Sequence, residues 1–146
     1  MTFWNYDLNE IVQENHPLKK IKKVIKFESL AYLIKEGVPE IGRNGYGLEV
    51  GIKCLFLQFY YDLSDRQLEE RLRYDIVLRW FCDFELKDQT PDHSFMHRIR
   101  EKLGANKVGR VLKRINKEAK KIGHICNALN ISTNEANFFL KSFSLS

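Results

Sequence analysis

His93 and His97 stand four residues apart, a spacing that puts both imidazoles on one face of a helix, as paired zinc ligands can be. Residue 94 between them is Ser, so the Glu that serves as general base in a zinc hydrolase motif is missing. No Cys or third His is near in sequence. The pair reads more simply as polar surface near a helix start, able to meet phosphate. Asp62, Asp65, Glu69 and Glu70 form a second group. Two-metal phosphoryl chemistry needs acids brought together from separate rigid elements. These acids share one segment with Arg66, Arg71 and Arg73, which reads as surface ion pairs. There is no phosphate-binding Gly loop, dinucleotide turn or nucleophile elbow. The residues therefore point away from an enzyme, and no metal or cofactor is expected.

Charge offers a binding chemistry instead. The chain carries a net +5, unevenly spread. From His97 to Lys121, ten of the 24 Lys/Arg stand beside only two of the 19 Asp/Glu, so the remainder is net acidic. Lys107, Arg110, Arg114, Lys117 and Lys121 recur at i, i+3, i+7, i+10 and i+14, one continuous stripe on a helix. A local positive field of this kind suits a polyanion. The competing reading is a pair of solvated helix faces that keep the chain soluble.

The elements that must hold these residues read as helices throughout, giving an all-α fold, a compact multi-helix domain with a helix-turn-helix-like part. Residues 1–15 read as an irregular lead. His16-Pro17 opens a helix whose apolar stripe is Leu18, Ile21, Val24 and Ile25, opposite a charged face of Lys19, Lys20, Lys22, Lys23 and Lys26. A short helix follows at 29–35, then a Gly- and Pro-broken loop at 38–47. Residues 48–61 are apolar nearly all round, as a central buried helix is. Ser64 with Gln67 predicts a capping box, and Asp75, Asp92 and Asn106 predict further caps. Gly104 predicts a helix stop, and the last basic helix is predicted to end at Gly123. Leu55, Phe56, Phe59, Leu68, Leu72, Trp80, Phe81, Ile99 and Leu112 are the predicted core. Cys54, Cys82 and Cys126, odd in number and far apart, fit reduced buried thiols. No apolar run approaches the ~20 residues that span a bilayer, and the first residues lack signal-peptide regions, so a cytoplasmic protein is expected.

Gly42-Arg-Asn-Gly-Tyr-Gly-Leu-Glu-Val-Gly, Leu55 through Leu63-Ser-Asp-Arg-Gln-Leu-Glu-Glu to Asp75, Leu78-Arg-Trp-Phe and Thr90-Pro-Asp-His-Ser together resemble the amino-terminal domain of InsH-type insertion-sequence DDE transposases. The earlier Gln13-Glu-Asn-His-Pro-Leu-Lys-Lys-Ile resembles that family's opening. The resemblance covers roughly residues 10–123. It implies a helical, helix-turn-helix-like domain that recognises the terminal inverted repeats of a mobile element. In the family a metal-dependent catalytic domain follows, its first Asp shortly after the position of Gly123. Here no Asp occurs after Asp92. The expectation is a fragment truncated or frameshifted before that domain, divided as lead 1–15, amino-terminal domain 16–123 and divergent tail 124–146.

The partner expected is double-stranded DNA at the element ends, with no membrane. The DNA-binding residues expected are His93, Ser94, His97, Arg98, Arg100 and Lys102 on one helix, and Lys107, Arg110, Lys113, Arg114, Lys117 and Lys121 on the next. The alternatives are an interaction module that forms homo-oligomers or inhibits full-length transposase, and an inert gene remnant.

Overall fold

Seven helices and no strand make up the described residues, 7–36 and 46–129, of the computed structural model. The predicted loop at 38–47 falls almost wholly outside them, as do residues 1–6 and the tail from 130 onward. The all-α expectation holds. The lead differs, because it contains a one-turn helix, α1 (Leu8–Ile11), capped by the Asp7 carboxylate on the Asn9 N–H. Leu8 and Val12 are buried and pin this turn against the core.

Helix α2 (Pro17–Val24) starts where proline costs no hydrogen bond, and His16 Nδ1 accepts from the Leu18 N–H. α3 (Phe27–Ile34) buries Phe27, Leu30 and Ile34, spaced i, i+3, i+7. α4 (Leu48–Tyr61) is buried on most of its circumference, residues 51–57 without interruption. Phe56 lies at its centre, stacked on Phe81 at 5.5 Å and meeting Phe27 edge-on at 5.6 Å. Burying such a ring contributes about 1.5–3 kcal/mol. α5 (Asp65–Tyr74) begins at the predicted capping box, with both Ser64–Gln67 bonds present. α6 (Ile76–Phe81) follows after the single residue Asp75, whose carboxylate accepts from the Val77 and Leu78 N–H groups. α7 (His93–Leu129) is helical on both sides of Gly104, which alone leaves helical geometry at φ 75°. Its backbone helix passes the predicted end at Gly123.

Of the predicted core, Leu55, Phe56, Leu68, Leu72, Trp80, Phe81 and Ile99 are buried, and Leu112 packs half-buried against them. Phe59 is the exception at 37% exposed.

The charged face expected on α2 is only partly solvated. Lys19 is 5% exposed, and its ammonium donates to the Asn9 and Val12 carbonyls and pairs with Glu14 at 2.7 Å. Lys22 reaches the Trp80 carbonyl and Asp83. Lys53, buried in α4, pairs with Asp83 at 2.5 Å and Glu49 at 2.9 Å. Burial alone would raise Asp83, but hydrogen bonds from Lys22 and Lys53 outweigh it and hold the carboxyl below its ordinary range. Arg79, 8% exposed, donates to the backbone carbonyls of Arg73, Glu85, Leu86 and Asp88 and so fixes the loop leading to α7. Cys54 and Cys82 are free and buried; a hydrogen bond to Cys82, then burial, pushes the Cys54 thiol well up. That keeps it protonated and unreactive. The side chain of Cys126 lies outside the described residues.

Candidate nucleic-acid interface

The first part of α7 is held to the body of the fold by polar contacts at its start and apolar contacts along its length. Glu69 of α5 accepts from the His93 backbone N–H at 3.1 Å and lies 3.3 Å from its Nδ1. The backbone bond is the largest influence lowering the Glu69 carboxyl. Asp92 caps the helix on the Phe95 N–H and accepts from the Ser94 hydroxyl at 2.6 Å. That hydroxyl bond holds Asp92 below the usual carboxylate range. Arg100 forms a two-pronged bond to Asp65, Nη1–Oδ1 2.9 Å and Nη2–Oδ2 2.6 Å, with Gln58 bridging from α4. The guanidinium lowers Asp65 and is itself raised by it. Phe95, Met96, Ile99 and Leu103 bury the opposite side. Gly51 lets α4 come close, since a Cβ there would stand 2.5 Å from Ile99 Cδ1.

The structure thus separates the residues of the first cluster. His93, Ser94 and Arg100 are half-buried and engaged with Glu69, Asp92 and Asp65. His97 and Arg98 are exposed, with His97 3.5 Å from Glu101. Lys102 is half-buried. The acids read as pairing within their own segment instead reach across helices, Asp65 to Arg100 and Glu69 to His93. Sequence gives no signal for those partners because they lie 35 and 24 positions away.

Beyond Gly104 the picture changes. Val111 and Ile115 are buried, while Arg110, Lys113, Arg114, Lys117 and Lys121 are exposed together with Lys120. Lys107 is half-buried and its ammonium meets the Glu36 carbonyl. One acid, Glu118, sits among them, 3.7 Å from Arg114 and 3.5 Å from Lys121. Among the described residues, Arg110, Lys113 and Lys117 make no ion pair. Beside them, α3 leaves Tyr32 75% and Leu33 58% exposed. Both fall off the buried Phe27–Leu30–Ile34 face, the one signal in the sequence for their exposure.

Among the described residues no cluster of three or more His, Cys, Asp or Glu could hold a metal ion, and no helix is long and apolar enough to cross a membrane.

Residues 6–102 match the family described as "Transposase domain (DUF772)". The chain belongs to that transposase-domain family, and its role is transposase-related. The match spans α1 to the end of the docked part of α7, so the basic stripe from Lys107 onward lies just past it. No solved structure matches the chain.

Proposed function

We propose that this chain binds double-stranded DNA at the terminal inverted repeats of an insertion element, as the end-recognition part of an InsH-type transposase. Its own residues supply binding and not catalysis. The observation that carries the reading is the cation stripe on α7, six exposed Lys/Arg and half-buried Lys107 against the single Glu118 between residues 105 and 121. Such a helix runs about 25 Å at 1.5 Å per residue, and duplex DNA carries a charge every ~1.7 Å along its axis. The stripe can therefore meet several phosphates at once and release their counterions. α5, α6 and the first part of α7 form the proposed helix-turn-helix-like unit. Within it, His97 and Arg98 are the exposed residues placed to meet DNA. His93, Ser94 and Arg100 serve instead to set the helix. The acids nearest to them support a non-catalytic reading, because Asp65 neutralises Arg100 and Asp92 caps α7.

The test is a titration of element-end and scrambled duplexes by fluorescence anisotropy across a salt series. Binding that weakens with a log–log slope of about −0.9 per phosphate contact, and that prefers the element end, is the expected result. No binding to either duplex at low salt would overturn the proposal.

A further inference from the structure

A groove of about 360 Å³ runs between α3 and the second part of α7. Its two walls differ in kind. The α3 wall is Leu30, Leu33 and Ile34, of which Leu33 is 58% exposed, and no side chain on it can donate or accept a hydrogen bond. The α7 wall carries Arg110, Lys113, Arg114 and Lys117, which can only donate. Arg114 is shared with Glu118 at 3.7 Å, whereas the other three make no ion pair among the described residues. Just past α3, the Glu36 carbonyl accepts from the Lys107 ammonium, which ties the two walls together.

A wall of cations opposite an apolar wall matches one strand of a nucleic acid lying lengthwise in the groove. Its phosphates turn to α7. The group left to face α3 is the sugar, because it is joined to every phosphate while the bases of a duplex turn inward to their partners. Lys113 and Lys117 stand one turn apart, about 6 Å along the helix axis, so each can meet a different phosphate of that strand. Attraction to phosphate needs no apolar wall, so exposed Leu33 calls for a contact of another kind.

We propose that the α3–α7 groove seats one backbone strand of the duplex and selects deoxyribose, with Leu33 packed on the C2′ methylene of the sugar. The inference rests on the DNA-binding reading and adds a choice of sugar to it. A ribose would place its 2′-hydroxyl against Leu33, where it loses water and meets no side chain able to bond it. The contact reads the sugar and no base, so it is independent of sequence.

The experiment is fluorescence anisotropy of the full chain at low salt with short duplexes of one sequence. They differ only in one strand, built with deoxyribose, ribose or 2′-fluoro sugars. The ribose and 2′-fluoro strands impose a similar helical form, so comparing them isolates the hydroxyl. The ribose duplex is expected to bind about fivefold or more weaker than the 2′-fluoro duplex. Leu33→Asn supplies a donor and an acceptor at an exposed position, and should bring the two to equal affinity with the salt slope unchanged. Circular dichroism checks that the variant folds, and Leu33→Ser gives a second variant of the same kind. Ribose and 2′-fluoro duplexes bound or rejected alike by the parent chain would overturn the proposal. So would a preference that persists in both folded variants. A chain that binds the all-deoxyribose duplex but fails these comparisons loses this inference alone, whereas one that binds no duplex loses the DNA-binding reading with it.

Discussion

The two parts of α7, on either side of Gly104, use the same residue types to opposite ends. Before the break, Arg100 is tied to Asp65, His93 to Glu69 and Ser94 to Asp92. After it, Arg110, Lys113 and Lys117 are exposed and, among the described residues, make no ion pair. The polar groups of the first part are therefore spent on the fold, while the second part buries Val111 and Ile115 and leaves these cations exposed. Charge counted along a sequence cannot make this distinction. An arginine whose field is cancelled by a two-pronged carboxylate adds little to attraction at a distance, whereas exposed, unpaired cations on one stripe add their fields.

The comparison breaks most easily at the packing of the first part. Ile99 is fully buried, and Ile99→Ala is expected to cost about 2–5 kcal/mol in urea unfolding. A cost under about 1 kcal/mol would mean that this part is not docked as described.

Acid should come next, acting on several pairs together. The Asp65, Glu69, Asp83 and Asp92 carboxyls are all held below their ordinary values in the folded chain. Their stabilisation is fully present above the unfolded carboxylate range, about pH 4, and is lost as pH falls through the lowered folded values. Thermal melts should drop steadily below about pH 4, and Asp65→Asn should flatten part of that fall. A profile the substitution leaves unaltered would argue against the Asp65–Arg100 bond.

Arg100→Met is expected to destabilise by about 1 kcal/mol, discounted because the pair is partly solvent-exposed. It should leave the salt dependence of DNA binding unchanged. A lowered salt slope would move Arg100 from the fold to the interface. Gly51→Ala should cost roughly as much through contact with Ile99. Ile99→Val, which removes the offending methyl, should then be better tolerated in that background than alone.

Much of this architecture was legible in advance, and the reasons are local. Ser64 and Gln67 satisfy each other's backbone groups three residues apart, and Asp75 caps within its own turn, so both signals lie inside a short window. The apolar run of α4 likewise announced a central helix. What stayed hidden depends on distant partners. Lys53 looks like an unremarkable charge until Asp83, 30 positions away, is folded against it. Arg79 binds carbonyls of a loop that has no pattern of its own. Lys19 and Lys22 share a stripe with exposed lysines, yet their long stems run along the core to carbonyls that α1 and α6 bring near. Among the interface candidates, the α7 stripe was readable from its period. That Arg100 is engaged while Arg110, Lys113 and Lys117 are exposed was not, since it turns on which carboxylates α5 presents.

The most direct test changes Arg110, Arg114 and Lys117 together to Ala and measures DNA affinity against salt. All three are exposed, so folding should shift by no more than about 0.5 kcal/mol. Loss of three phosphate contacts should make the log–log slope shallower by about 2.7 and weaken binding to every sequence alike. A folded triple variant with the parent's affinity and slope would contradict the assignment of DNA binding to the second part of α7.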